Sequence, residues 1–346
     1  MRRNPRGLPC LSWGMRPLVL VMSLAAAPAL AQPAPPRPDT RATLSLGVEN
    51  DLFGGGTDRY YSNGLLLALG SASADLPAPL AWLDRQLDGL QGPGVLRWGA
   101  SLNHAIFTPQ DIRAAVPDPR DRPYAGLLLG SFSLHRVTAA SLSTVEIQAG
   151  ILGPAAGGEF VQNNWHGLIG VRKAQGWSAQ IPNTPVANLA LDRRWRAPLG
   201  RLGGLEAEAV PNVTLVAGNL NIHAAAGGIL RLGQGLEGDF GPPRIRPSLA
   251  GSAFFQPPAD RPYDALGWYA FAGAEARGVA HDLTLVGRGA NRGVDARPLV
   301  MDLTAGAALT WRGVRLSYTQ VWRTEEFYGQ RGGMQVFGSV NLSFRF

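Results

Sequence analysis

The amino-acid sequence predicts an all-β chain folded as a transmembrane antiparallel β-barrel, and three observations carry that prediction. From residue 42 onward, about ten to twelve short segments alternate apolar and polar residues with period two, separated by Gly, Pro, Asp and Asn clusters. The N-terminal stretch runs from basic to apolar to small residues, the order of an export signal. The last segment alternates up to a terminal Phe346, as the closing strand of an outer-membrane barrel does.

Residues 1–31 read as a secretory signal peptide. Arg2, Arg3 and Arg6 precede an apolar core at 17–27, and Ala29-Leu30-Ala31 suits cleavage after Ala31. That core falls short of the roughly 20 apolar residues a membrane helix needs, and no later stretch reaches that length. Residues 32–41 form a Pro-rich leader and 42–346 the barrel, with no internal repeat and no second domain. The signal segment carries four arginines and no acid, so its removal lowers the formal charge from +7 to +3 and takes away the main support for a nucleic-acid partner. Cys10, the single cysteine, lies ahead of the apolar core. The mature chain is therefore expected to have neither disulfide, thiol nor lipidated-cysteine chemistry.

The clearest strand is 301–311, where Met301, Leu303, Ala305, Ala307, Leu309 and Trp311 share one face and Asp302, Thr304, Gly306 and Thr310 the other. Segments 144–151, 314–319 and 340–346 obey the same rule. A soluble sandwich alternates too. The export signal, the tryptophans Trp98, Trp165, Trp311 and Trp322 near segment ends, and the terminal phenylalanine favour the barrel, whose closure leaves no strand edge unpaired in lipid. The same terminal pattern names the barrel-assembly machinery as a partner during biogenesis.

Strand direction, counted from a periplasmic N-terminus, sorts the connections. Strands are expected at 43–50, 61–70, 95–106, 124–136, 142–152 and 164–172, which puts 51–60, 107–123 and 153–163 on the outer side. Three polar motifs fall in those connections. Glu49-Asn50-Asp51, facing Asp58 to Gly64 across a loop, gathers oxygens that suit a hard cation such as Ca2+, although Asn, Asp and Gly are also ordinary turn formers. Thr108-Pro109 followed by Asp121-Arg122-Pro123-Tyr124-Ala125-Gly126 is either a structural turn or, with Arg113 and Arg120, a loop that meets anionic phosphates. The third runs from Gly153 through Gln162 to Trp165-His166, and its imidazole can take a proton from water near neutral pH. Strand parity turns Asp51, Ser62 and His166 inward and gives Asn50 the opposite phase.

At these residues the chain resembles the lipid A 3-O-deacylase family of outer-membrane proteins. The likeness rests on Glu49-Asn50-Asp51, Tyr61-Ser62-Asn63-Gly64, Asp121 to Gly126, Gly153-Pro154 through Gln162 to His166, Gly176-Trp177 with Gln180, Arg193-Arg194-Trp195, Gly218-Asn219, Asp239-Phe240-Gly241-Pro242 and 327–330. It implies a 12-stranded barrel in the outer membrane and Ca2+-dependent removal of the 3-linked acyl group from lipid A of lipopolysaccharide. Carried over by position, His166 matches the catalytic general base and Gln162 a glutamine near the site. Asn50 and Asp51 match the pair beside the metal, and Ser62, where the family usually has threonine, lies with them as a further metal or catalytic oxygen. Arg172 stands where some members carry an acid six positions after the histidine, and Arg113 is the nearest match to a lysine of the second loop. Two rivals remain: an outer-membrane phospholipase, for which no Ser and His are seen on neighbouring strand positions, and a non-enzymatic barrel or channel.

Overall fold

The computed structural model describes residues 36–243, 253–257, 262, 264–288 and 291–346. The expected signal peptide and the first residues of the leader lie outside them. Period-two segments become strands β1 (Thr43–Asn50), β2 (Tyr60–Gly70), β3 (Gly94–Thr108), β4 (Ala125–Thr138), β5 (Ser141–Leu152), β6 (Thr184–Trp195), β7 (Ala197–Leu202), β8 (Leu205–Gly218), β9 (Asn221–Gln234) and β10 (Gly267–Asp282). A two-residue ladder, β11 (Gly287–Arg288) with β12 (Asn291–Arg292), precedes β13 (Leu299–Trp311), β14 (Val314–Arg323) and β15 (Gln335–Arg345).

Each wall strand pairs antiparallel with its chain neighbour, and β1 pairs with β15 from Thr43↔Arg345 to Asn50↔Gly338. β6 and β7 form one strand interrupted at Arg196, and β8 pairs with both. The result is a closed barrel of twelve wall strands, as the resemblance implied. Alternation decides the faces. Along β13 Met301, Leu303 and Leu309 are exposed while Asp302 and Thr304 are buried, so the apolar side looks outward and the polar side fills the lumen.

Two segments depart from the sequence reading. The connection after β2 contains a helix, α1 (Ala78–Gln91), started by Pro77 and Pro79 and fastened to β4 by Arg136, which pairs with Asp84 and Asp88. More important, 164–172 is not a strand. Residues Gly158–Ile169 form helix α2, and the sixth wall strand begins only at Thr184. Trp165, Ile169 and Val171 sit at even spacing and imitate a strand, and the four glycines at 157, 158, 167 and 170 argue against a helix. Tertiary contacts override both signals.

The end bearing the short turns at 139–140, 203–204 and 312–313 also holds both described termini, and there the lumen is plugged. The connection after β9 folds inward on a short turn (Leu236–Gly238), and Asp239 accepts from Arg231 at 2.5 Å, Arg315 at 2.9 Å and the Tyr269 hydroxyl at 3.0 Å. Asp39, from the leader, binds Arg97 at 2.9 Å and Arg345 at 2.7 Å. Burial alone would raise the Asp239 carboxyl, but the Arg231 and Arg315 guanidiniums overcome it and hold it at about 2.

The unfolded carboxyl titrates near 3.8, so this pairing stabilises the fold fully above that pH and the contribution disappears as pH falls through about 2. In urea unfolding in detergent micelles the Asp239 contribution, read as the difference between the unaltered chain and Asp239→Asn, should therefore be level from pH 7 to 5 and shrink below 4. The difference should be on the order of 2 kcal/mol at neutral pH; a difference that does not shrink in acid would show that other carboxylates govern the acid limb.

Candidate active site

The long connections, 51–59, 109–124 and 153–183, meet at the opposite end of the barrel. β1 delivers Asp51 into that end, and the backbone of Asp51 pairs with Ser62, its N–H donating to the Ser62 carbonyl at 3.3 Å. The Asp51 carboxylate is 1% exposed and accepts from the Arg59 N–H at 2.7 Å and the Thr57 hydroxyl at 3.1 Å. Among the described residues no cation pairs with it. Burial pushes its carboxyl up to about 8, the N–H of Arg59 opposing and the charge of Asp58 adding to the rise. Without a positive charge beside it, this carboxyl keeps its proton near neutral pH.

Ser62 is the extra residue of a β-bulge, because β2 pairs Tyr61 with Phe107 and then Asn63 with Ile106. The bulge lets Tyr61 and Ser62 both turn into the protein. The Ser62 hydroxyl meets the Thr108 hydroxyl at 2.7 Å, while Tyr61 donates to Glu49 at 2.9 Å. Asn50 holds the phase that parity assigned it. Its amide oxygen accepts from the N–H of Leu52 at 2.8 Å, which closes the turn out of β1.

α2 brings the imidazole. Gly157, at φ +73, opens the helix and Gly170, also at φ +73, ends it. The start of the helix lies so close to β4 that a Cβ on Gly158 would sit 2.7 Å from the Trp177 ring and 2.9 Å from the Cα of Gly126. His104, buried on β3, contacts the Ala156 carbonyl at 3.0 Å and fixes the turn before α2. Gln162 and His166, one turn apart, face inward at 4% exposure each.

Their partner is Asp58. Oδ2 of Asp58 lies 2.8 Å from Nε2 of His166, and Oδ1 accepts from Nε2 of Gln162 at 2.9 Å. The Gln162 oxygen accepts in turn from the indole N–H of Trp177 at 2.8 Å. On the far side of the ring, His166 Nδ1 is 2.9 Å from the Arg172 carbonyl. A carbonyl only accepts, so Nδ1 carries a proton, and Nε2, which faces the Asp58 carboxylate, is the nitrogen that can exchange that partner for a water.

Of the residues singled out from sequence, Asp51 and Ser62 are joined through the backbone, and Gln162 and His166 share one helix face. The two pairs meet through the 51–59 connection and not by direct contact, for among the described residues neither Asp51 nor Ser62 bonds to His166. The inward placement of His166 comes from helical i, i+4 geometry and not from strand parity. Asp58 was missed as a site residue although it opens the quoted 58–64 motif. Its role depends on α2 folding over it, which no local pattern reports. Trp177 and Thr108 stand in motifs read from the sequence but were not picked out as site residues, because their partners Gln162 and Ser62 come from other elements. The second loop differs from the phosphate reading: Arg122 is buried, stacks 4.6 Å over Phe107 and pairs with Glu326 at 3.2 Å, and Arg120 pairs with Asp118 in the open. A Ser–His pair also exists after all. Ser133 Oγ and His135 Nε2 lie 2.8 Å apart on β4, but both are buried in the lumen beneath Phe254, out of reach of a lipid ester.

Gly158→Val should lift α2 off β4 and break the Trp177–Gln162–Asp58 chain while leaving the barrel intact. Near-UV circular dichroism should lose the Trp177 contribution with the far-UV strand signal unchanged; full retention of both would refute the close seat.

The family of outer membrane protein LpxR matches residues 18–346. Among solved structures, LpxR from Salmonella typhimurium is 23% identical, covers 88% of this chain and 100% of its own, and superposes with a TM-score of 0.71. The β domain of the Bordetella autotransporter BrkA, at 12% identity, 88% and 97% coverage and a TM-score of 0.38, is far less similar. No curated protein matches the sequence significantly. The match along nearly the whole length means that this chain belongs to the LpxR family of outer membrane proteins.

Proposed function

We propose that the chain is a Ca2+-dependent carboxylic ester hydrolase of the outer membrane that removes the 3-O-linked acyl group from lipid A of lipopolysaccharide. On this reading residues 1–31 export it, the barrel-assembly machinery inserts it, and the long connections face the outer leaflet. The observation that carries it is the Asp58–His166 pair, braced by Gln162, beside the buried Asp51.

The donors suit a hard cation better than zinc. Among the described residues no three His, Cys, Asp or Glu side chains cluster closely enough to hold a metal by themselves. Asp51 and Asp58 with the Ser62 and Thr108 hydroxyls offer the mixed charged and neutral oxygens that Ca2+ accepts, water completing the shell. Asn50 can contribute through the lone pair that its turn leaves free. Bound there, the ion would polarise the ester carbonyl and stabilise negative charge on its oxygen.

The protein's own groups do the proton work. The Arg172 carbonyl fixes the tautomer, so Nε2 of His166 removes the proton from water as the water oxygen attacks the ester carbon. The same nitrogen then returns the proton to the departing sugar oxygen as the C–O bond breaks, releasing a fatty acid and a free 3-hydroxyl. Asp58 must turn from Nε2 to admit the water, and Gln162 guides that carboxylate. Ser62 contributes an oxygen and forms no acyl-enzyme.

His166→Ala and Asp51→Ala should each lower turnover by about 10^3-fold, within the range of a lost general base or metal site, in a barrel that still folds. Asp58→Asn should cost about 10 to 100-fold by loosening the imidazole. The measurement is mass spectrometry of lipid A, where activity appears as loss of one hydroxyacyl chain. Chelation should abolish that loss and Ca2+ restore it; activity that survives chelation refutes the metal, and inhibition by a serine-directed phosphonate would favour a phospholipase mechanism.

A further inference from the structure

The two sides of α2 have opposite chemistry. Gln162 and His166 face the protein, whereas Phe160 and Leu168, two turns apart on the other side, are 71% and 78% exposed. Positions 160, 164 and 168 form one stripe at i+4 spacing, in which Asn164 stands between the two apolar side chains and donates to the Phe160 carbonyl at 2.7 Å. Both apolar side chains are more exposed than the outward residues of the wall, such as Leu67 at 47%.

Beyond Gly170 the exposed stretch continues through Val171 into Arg172 and Lys173, and neither cation has an acidic partner among the described residues. Their backbone is nevertheless held firmly. The Val171 N–H donates to the His166 carbonyl at 2.8 Å, and the Ala174 N–H donates to the Asn163 amide oxygen at 2.9 Å. Two long cationic side chains thus hang from a fixed strip of main chain beside an apolar helix face.

α2 rises from the ends of β4 and β5, whose outward residues Phe132, Val145 and Ile147 belong to the apolar belt of the barrel. An apolar helix face carried by a barrel with an outward apolar belt, and followed by unpaired cations, matches a membrane surface with anionic head groups. We propose that α2 docks on the leaflet around the barrel, with Phe160 and Leu168 among the acyl chains and Arg172 and Lys173 on a head-group phosphate. As a membrane contact this stands apart from the catalytic reading. As a substrate contact it rests on that reading, and it links phosphate capture to the imidazole, because the residue that grips the phosphate also supplies the carbonyl holding His166 Nδ1. Arg172, anomalous as a replacement for an acid, then has a task of its own.

The test uses the full chain with its only cysteine replaced, Cys10→Ser, carrying Leu168→Cys labelled with an environment-sensitive dye. It is placed in nanodiscs of phosphatidylcholine, with or without phosphatidic acid. Docking predicts blue-shifted emission quenched by brominated acyl chains and strengthened by phosphatidic acid, the increment vanishing in Arg172→Ser/Lys173→Ser. Water-like, unquenched emission in both discs overturns docking, and an increment unchanged in the double variant overturns the phosphate contact.

In turnover assays the double variant should lose about tenfold of the kcat/KM preference for bis-phosphorylated over dephosphorylated lipid A. An equal fall on both substrates refutes phosphate recognition in the substrate. No turnover by the unaltered chain counts against the hydrolase reading, and the quenching result alone then decides docking.

Discussion

The backbone ladder that joins β1 to β15 is the constraint on which the rest depends. In hydrocarbon an unpaired N–H or C=O costs several kcal/mol, so the sheet has to close on itself. Register Thr43↔Arg345 through Asn50↔Gly338 completes the closure. Every strand then has a fixed inner and outer face, and polar side chains at the inner phase are forced into a common lumen. Asp302 with Arg323, and Asp239 with Arg231 and Arg315, are consequences: carboxylates and guanidiniums buried there must find each other, because an unpaired charge would be far more costly than the pair.

Closure also accounts for how the site is built. A rigid wall holds β1, β2 and β4 in register, so Asp51, the Ser62 bulge and Gly126 keep fixed positions at one rim. α2 seats on that rim because Gly126 and Gly158 remove the two Cβ atoms that would keep it away. The helix then closes His166 over Asp58. The site is thus a joint between two kinds of structure, strand ends that place the carboxylates and a helix that places the imidazole. The plug fills the lumen at the other end, and the carboxylates and imidazole gather at this rim.

α2 also shows how one element can serve two environments. Its buried face holds Gln162 and His166 in a hydrogen-bonded chain ending at Trp177, and its exposed face offers Phe160 and Leu168. A soluble helix of this length would bury its apolar residues and expose its polar ones. Here Gln162 and His166 are buried while Phe160 and Leu168 are exposed, an order that a lipid surface makes sense of.

The barrel was legible in the chain's own residues. Period-two alternation with an apolar phase is a local property of strands, and the positions it marked at 301–311, 144–151 and 314–319 became lipid-facing and lumen-facing as read. Asp51 and Ser62 could be picked out because each sits in a polar motif at a countable strand end, and His166 because it closes a polar motif, although the strand counted there is a helix. The partnership between them came from the folded arrangement. That α2 is a helix, that Asp58 and not Asp51 faces His166, and that Arg122 is buried against Glu326 all depend on contacts between residues far apart in the chain. Alternation records what each residue needs on its own face; it carries no record of which distant side chain will meet that need.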